Sequence, residues 1–431
     1  MECHVDYLIR TKGLNPTVTF REDLGCGIVY CATSNGFYKV TLEDVKTLRR
    51  LSKGQEDVWL PSRIYKEWRK AGWIGVDGSN CPFSDKQGRT KDQAFKPLHA
   101  LIVATLKCNA SCVFCSAYPY MKAYGQKEFI SLKQAELLAK RLYDLGVMQC
   151  TVAGGEPTLS PFLEGLLDAL VHYKVFPTVV SNGLCWPYER YIKSTKMGIT
   201  WAFSYHSDNP LEHDKIMNKP GAHKTLSRIL KELSIAGLKP HANVVVTTYN
   251  ISRLDKIIEA LFKLGVKDII LSQHLHLGRS DETSLHPSIL GDLGKLIEPW
   301  KGKGANISRQ YRFRFIYEKN STFMQELFSD FKGGCPAGIF ELLVFPDGTV
   351  YPCDYLWEDK FRVGNLFEDD AIRKITSSCI LSMLQALEPD KVCLDCEHFD
   401  ICRGCCPGVR YLIEGKLAYP NPECPLLRDR L

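Results

Sequence analysis

Residues 106–120, LKCNASCVFCSAYPY, set Cys108, Cys112 and Cys115 in one short loop at the spacing C-x3-C-x2-C. The run before them, HALIVATL (99–106), is apolar and strand-like, so the loop follows the carboxyl end of a strand. A closed structural metal site usually takes four ligands, whereas a reactive centre keeps a position open. Three thiolates suit an iron-sulfur cluster with one iron left open. The rival is a zinc knuckle, which wants a fourth Cys or His at a matching short spacing, and His99 and His172 do not supply one.

Outward from this loop, strand-like runs alternate with helical patterns. HALIVATL is followed by a helix over 131–144, QCTVAG (149–154), a helix over 161–173, PTVVS (177–181) and a helix near 188–195. ITWAFS (199–204), a helix over 223–236, HANVVVTT (241–248), a helix over 253–264 and DIILSQ (268–273) continue the series. Six strands alternating with helices predict a parallel sheet with right-handed crossovers, either open or curled into a partial barrel. In such sheets chemistry collects at the carboxyl ends of the strands. Those ends carry the cysteine loop, GGEP (154–157), SNG (181–183) and Ser204.

The chain has 431 residues, enough for two to four domains. Residues 1–77 hold short β-branched and aromatic runs, TVTFRED, CGIVYCA and GFYKV, then two helical patterns, one capped by Thr41 with Asp44 three residues on. Residues 78–96 are polar and turn-rich and read as a linker. The alternating pattern occupies 97–310, and 311–431 is cysteine-rich. Eighteen cysteines in a chain without an export pattern call for metal rather than disulfides. The start, MECHVDYLIRTKGL, lacks an apolar core behind a basic stretch, and no apolar run nears ~18 residues, so a cytoplasmic protein without membrane spans is expected. A net charge of +6 without a basic run makes a nucleic-acid partner unexpected.

With Phe114 before Cys115, the loop resembles the CxxxCxΦC motif of the radical SAM superfamily, Φ being apolar or aromatic, and GGEP stands downstream. The resemblance spans residues 97–280 and implies the partial (β/α)6 barrel of that family. It implies a 4Fe-4S cluster on Cys108, Cys112 and Cys115 whose open iron chelates S-adenosylmethionine. One electron then generates a 5′-deoxyadenosyl radical that takes hydrogen from an unactivated carbon. It further implies that Gly154, Gly155, Glu156 and Pro157 hold the methionyl amine and that Phe114 lies beside the adenine. Ser181, Asn182 and Ser204 would lie near the ribose and carboxylate, with Gly278 and Arg279 closing the sixth strand.

The C-terminal spacing Cys335-x12-Gly348-x4-Cys353, Cys393-x2-Cys396-x5-Cys402-x3-Cys406 and then Cys424 is similar to the SPASM domain of such enzymes. By that resemblance Cys335, Cys353 and Cys406 hold one auxiliary 4Fe-4S cluster and Cys393, Cys396, Cys402 and Cys424 a second, three clusters in all. FPDGTVYPCD (345–354) reads as a hairpin that positions Cys353. Two positions depart from the family. Sulfatase-maturating relatives have a cysteine six residues after the first auxiliary ligand, and here that residue is Glu341. The fourth ligand is then open, or comes from Cys405, Cys379 or outside the chain. The second departure is SYHSD (204–208), which puts His206 where the family often has Asp; a surface turn is the expected place for it.

The N-terminal strands and helices resemble the PqqD-like element that captures leader peptides, a winged-helix-like α+β unit. Together these resemblances imply a maturase acting on a ribosomally synthesised precursor peptide with a leader, served by an electron donor such as flavodoxin or ferredoxin. The expected reaction is a thioether cross-link, with Asp354 as candidate base. Carbon-carbon cross-linking, epimerisation, excision and formylglycine formation are the alternatives within enzymes, and an iron-sulfur nucleic-acid-binding regulator the alternative outside them.

Overall fold

The computed structural model describes residues 6–9, 18–23, 26–31, 36–52, 58–61, 68, 84–86, 95–124, 131–274, 287–310, 333–424 and 426–427. The N-terminal part comprises β1 (Asp6–Ile9), β2 (Val18–Asp23), β3 (Cys26–Cys31), β4 (Gly36–Val40), α1 (Leu42–Ser52), β5 (Val58–Pro61) and β6 (Ser84–Lys86). Helix α1 starts at a reciprocal cap, Thr41 N donating to Asp44 Oδ2 (2.9 Å) and Asp44 N to Thr41 Oγ1 (3.1 Å). The second helical pattern falls outside the described residues except for the buried Trp68.

The stretch expected as a linker is partly a strand. β6 pairs in parallel with β2, giving a sheet ordered β4-β3-β2-β6. Its sequence, SDK, has no apolar alternation, because an edge strand can be held by backbone bonds alone. The two faces of β3 bury different things. Val29 and Cys31 join Val18, Phe20, Val45, Leu48, Leu51 and Trp68, whereas Ile28 and Tyr30 pack on Leu98, Met148 and Ile339 of the main body. Arg21 on β2 is buried and reaches the main body too: Nη1 donates to Pro97 O (3.2 Å) and Gly146 O (3.0 Å), Nη2 to Lys96 O (2.9 Å).

The main body is built from β7 (His99–Thr105), α2 (Tyr118–Tyr124), α3 (Leu132–Asp144), β8 (Gln149–Gly154), α4 (Leu163–His172), β9 (Phe176–Ser181), α5 (Tyr188–Lys196) and β10 (Thr200–Ser204). It continues with α6 (Pro210–Met217), α7 (Ala222–Ile235), β11 (His241–Val246), α8 (Leu254–Lys263), β12 (Asp268–Gln273), α9 (Pro287–Gly302) and β13 (Asn306–Gln310). Strands β7 to β12 are the six expected, all parallel, and β13 adds a seventh beside β12. One face of each strand buries Leu, Ile, Val and aromatic residues under the helices. Along β11 and β12 the alternate residues, His241, Asn243 and Val245, then Asp268, Ile270 and Ser272, are only half-buried, so the face opposite the helices is partly accessible there.

After the seventh strand the chain returns to the opposite edge. β14 (Glu341–Val344) runs parallel to β7, then β15 (Thr349–Tyr351) and β16 (Gly364–Asn365) follow antiparallel. The ten-stranded sheet therefore has β13 and β16 as its two edges and is an open α/β sheet. The β14–β15 turn is the expected hairpin, with Gly348 at φ +80° and its N–H donating to Phe345 O at 2.9 Å. Short helices α10 (Ala371–Thr376), α11 (Cys379–Gln385), α12 (Lys391–Leu394), α13 (Phe399–Cys402) and α14 (Pro407–Glu414) complete the chain. Among the described residues no helix is long and apolar enough to cross a membrane.

Candidate active site

The cysteine loop leaves β7 and is held by its own backbone. Ser111 N donates to Met217 O (3.1 Å) and Val113 N to Ile216 O (3.0 Å), tying it to the end of α6, while Cys112 Sγ lies 3.6 Å from Met217 Sδ. All three thiols are half-buried. Burial pushes the Cys108 thiol up to about 11, with Glu156 and Cys115 adding to the rise against backbone hydrogen bonds that lower it. Three soft sulfur donors on one short loop suit an iron-sulfur cluster by residue type and spacing, although among the described residues no group of three or more His, Cys, Asp or Glu is placed to hold a metal ion.

GGEP lies against this loop. Gly155 N donates to Thr105 O (2.8 Å) and Glu156 N to Lys107 O (2.7 Å). The contact is so close that a Cβ on Gly155 would sit 2.1 Å from Lys107 O, and one on Gly154, at φ +131°, 2.3 Å from Thr105 O. Only glycine permits this approach. Glu156 is buried and its carboxylate is satisfied within the chain. Oε1 accepts from Thr158 N (3.0 Å), Thr158 Oγ1 and Ser181 Oγ (2.8 Å), and Oε2 from Asn182 N (2.7 Å). Burial raises its pKa while these donors pull it down. The side chain thus organises the ends of β8 and β9, and Pro157 opens the short 3-10 turn that it caps.

Asn182 extends the network, its Nδ2 donating to Asn109 Oδ1 (2.7 Å), and Asn109 Nδ2 reaches Cys185 Sγ (3.1 Å). Asn109, Thr158 and Cys185 were not singled out in the sequence; a polar residue inside the ligand loop was the available signal for the first. Ser204 closes β10, half-buried, with its carbonyl accepting from His213 Nε2 at 3.4 Å. The structure thus brings Phe114, Gly154, Gly155, Glu156, Pro157, Ser181, Asn182 and Ser204 to one end of the sheet with the cysteine loop. Gly278 and Arg279 lie outside the described residues.

His206 is not a surface turn residue. It is 2% exposed and packs edge-on against Phe114, ring centroids 4.8 Å apart. Val245 N donates to its Nδ1 at 3.4 Å and Asn250 Nδ2 donates to its carbonyl at 3.0 Å. Long-range packing overrides the polar local sequence SYHSD. Behind it stand His213 (6.0 Å, stacked) and His223, which is 5.5 Å from His213 and hydrogen-bonded to Tyr205. Burial, then His213, holds His206 well below the usual imidazole range, and burial takes His213 to about 4, so both are neutral at pH 7.

The C-terminal cysteines form two neighbourhoods. Cys335 and Cys353 are buried, and each is pushed up by burial together with Cys406 and Glu341. Cys393 is pushed up to about 11 by burial with Cys424, Cys396, Asp390 and Cys405 around it. Three successive residues, Arg403 (φ +47°), Gly404 (φ +81°) and Cys405 (φ +64°), have left-handed backbone, so Cys402 and Cys406 do not stack as an i, i+4 helical pair would. Cys405 lies near Cys393 and Cys424 and also, with Cys335 and Cys406, near Tyr419, and Cys379 is exposed. Asp354, half-buried, lies near Cys353 and near Tyr120, whose hydroxyl is also close to Cys115. Tyr124 on α2 bonds Tyr351 (2.7 Å) and Trp357 O (3.1 Å), joining the cysteine-loop side to the hairpin.

Residues 102–261 match the radical SAM superfamily and residues 335–406 match SPASM, an iron-sulfur cluster-binding domain. Mycofactocin maturase MftC of Mycolicibacterium smegmatis is 26% identical over 337 residues, covering 74% of this chain and 80% of that protein. The subtilosin biosynthesis protein AlbA of Bacillus subtilis is 25% identical over 328 residues, covering 72% and 67%. In fold, the chain superposes on Streptococcus suis SuiB, solved with its precursor peptide SuiA, at a TM-score of 0.72 and 17% identity, over 96% of this chain and 99% of that one. The chain is an enzyme with a radical SAM domain over residues 102–261 and an iron-sulfur cluster-binding SPASM domain over residues 335–406.

Proposed function

We propose that this enzyme modifies a ribosomally synthesised precursor peptide, captured by its leader at a PqqD-like domain of residues 1–77. Residues 78–96 connect it to a radical SAM domain of 97–310 and a SPASM domain of 311–431, and the whole works in the cytoplasm with flavodoxin or ferredoxin as electron donor. The observation that carries the reading is the N-terminal sheet itself, seated on the main body through Arg21, Ile28 and Tyr30. Radical chemistry on a small molecule gives no reason for this extra sheet, whereas a sheet edge suits an extended peptide. The peptide-maturing relatives, and the likeness of almost the whole chain to SuiB, support it.

In this proposal Cys108, Cys112 and Cys115 hold the catalytic cluster, and S-adenosylmethionine lies across the GGEP loop and Phe114. When bound, these groups supply the deoxyadenosyl radical, and the two auxiliary clusters supply a sink for one electron. The residues supply position: the Glu156 network fixes the strand ends, and neutral His206 backs Phe114 without adding charge. For the bond made, we favour a thioether. The peptide's C–H hydrogen leaves with deoxyadenosine, its thiol proton passes to a base for which Asp354 is the candidate, and the remaining electron goes to the protein's redox groups.

The test is anaerobic incubation with S-adenosylmethionine, a low-potential reductant and a short Cys-rich precursor encoded beside the chain, read by mass spectrometry after alkylation. Loss of two hydrogens with one cysteine shielded is expected. The same loss with every cysteine alkylatable means a carbon-carbon bond, and unchanged mass with deuterium gained from solvent means epimerisation. No peptide change beside steady deoxyadenosine release would overturn the peptide reading.

A further inference from the structure

Phe114 is the aromatic residue between Cys112 and Cys115, and its ring meets two histidines from other parts of the sheet. His206, two residues beyond β10, packs at 90° to it with ring centroids 4.8 Å apart. His274, directly after β12, packs at 68° with centroids 6.0 Å apart. All three side chains are buried. Both contacts are edge-on, the arrangement in which the positive rim of one ring meets the negative face of another, and that attraction falls as either ring turns. The ends of β10 and β12 thus give the Phe114 ring a preferred angle, beyond the place its own loop gives it. His206 is itself braced. Asn250 Oδ1 accepts from Thr247 N (2.8 Å), and its Nδ2 donates to His206 O (3.0 Å) and Val245 O (2.8 Å). Val245 N donates to His206 Nδ1 (3.4 Å), so the neutral ring carries its proton on Nε2, and His213 stacks on it at 6.0 Å.

We infer that His206 is a positioning residue for the nucleoside end of S-adenosylmethionine: it sets the angle of the Phe114 ring against which the flat adenine packs. This rests on the reading that Phe114 lies beside the adenine, and deepens it by naming what aims the ring. A planar ligand gains most from a ring already held at the packing angle, because binding then freezes no further rotation. His206 touches Phe114 and acts on the ligand through it. Its own hold on the chain, through Asn250 and Val245, ties that angle to the loop after β11. Loss of the imidazole should therefore cost affinity for the nucleoside, and only where Phe114 is present to be aimed.

The test uses the full-length, reconstituted protein and two probes, S-adenosylmethionine and 5′-methylthioadenosine, which keeps the adenine and lacks the methionyl amine and carboxylate. His206→Asn keeps a polar side chain and removes the ring. His206→Phe keeps a ring and leaves Val245 N without its acceptor. His206→Asn should weaken methylthioadenosine about fivefold in equilibrium dialysis, the size of one lost edge-on aromatic contact. It should raise KM for S-adenosylmethionine by a similar factor, with kcat for deoxyadenosine release within about twofold. His206→Phe should rescue both affinities to within about twofold of wild type, even though it unfolds at lower denaturant. In a double variant, His206→Asn should add nothing to the loss that Phe114→Leu causes alone, because it acts through that ring. Unchanged methylthioadenosine affinity in His206→Asn, equal weakening in His206→Phe, additive losses in the double variant, or a fall in kcat as large as the rise in KM overturns the inference. The underlying reading is checked separately by Phe114→Leu. If that variant binds methylthioadenosine as wild type does, the adenine lies elsewhere and the inference falls with the reading; if it alone weakens binding, only the positioning role is overturned.

Discussion

Two cysteine regions organise this molecule, and they are built in opposite ways. Cys108, Cys112 and Cys115 lie within one loop at one strand end, pinned by contacts to β8 and α6. The C-terminal cysteines span residues 335–424 and are gathered by a hairpin, a braced turn and a left-handed stretch of backbone. The first set is close in sequence and held by distant elements, whereas the second is itself brought together from distant parts of the chain. Burial separates the two less than assembly does: Cys108, Cys112 and Cys115 are half-buried, as are Cys393, Cys396, Cys402, Cys406 and Cys424, while Cys335, Cys353 and Cys405 are buried.

The sharpest way to break that contrast is to remove each region in turn. Replacing Cys108, Cys112 and Cys115 by Ala should abolish S-adenosylmethionine cleavage and take iron from about twelve to about eight per chain. Replacing Cys393, Cys396 and Cys424 should cost a similar amount of iron yet leave uncoupled cleavage within about tenfold of wild type, since those ligands do not touch the reacting centre. Equal loss of cleavage in both, measured as deoxyadenosine by chromatography, would erase the distinction.

Next in size is Gly155→Ala. Its Cβ would meet Lys107 O at 2.1 Å, so the cysteine loop must shift. A displacement on the order of 1 Å costs about a hundredfold in turnover, readable in deoxyadenosine release with iron content retained. Gly415→Ala is the control: φ is +70° but nothing lies within 4 Å, so about 1 kcal/mol of stability and no activity should be lost. Arg21→Met strands three carbonyl acceptors beneath the N-terminal sheet. It should cost roughly 2 to 4 kcal/mol in denaturant unfolding while leaving iron content alone.

The smallest effect concerns acid. His213, buried with Nδ1 unpartnered and its pKa lowered to about 4, stays neutral in the folded protein while the unfolded chain takes up a proton near pH 6.5. The unfolded state then binds more protons, so stability falls as pH drops from 6.5 towards 4. His213→Phe should flatten that slope, by about 1 kcal/mol at pH 5.5 in denaturant melts, with the lowered His206 and His223 leaving part of it in place.

The sequence made the parallel strands plain because each is a largely apolar run under helices. β6 and β13 were missed, since SDK and NISRQ carry no apolar pattern and are held at sheet edges. At the site, motif residues were readable wherever chemistry dictates both residue type and spacing. His206 was misplaced because its burial depends on Phe114 and on Asn250, which is 44 residues away. The role of Glu156 as an internal organiser was hidden for the same reason: its partners come from the next strand. Nor could the sequence show that the N-terminal sheet covers Leu98, Met148 and Ile339.

That seat has a consequence for how a peptide would be measured out. Arg21 clamps the sheet to the carbonyls of Lys96 and Pro97, just ahead of β7, and of Gly146, just ahead of β8. On the proposed reading, a leader held on such a sheet would be fastened at a set distance from the reacting carbon, and an extended chain covers that distance at ~3.3 Å per residue. The enzyme would then act as a ruler, choosing its target by count rather than by neighbouring sequence. Lengthening the segment between leader and core by two residues should move the modified position two residues back towards the leader, leaving the chemistry itself unchanged.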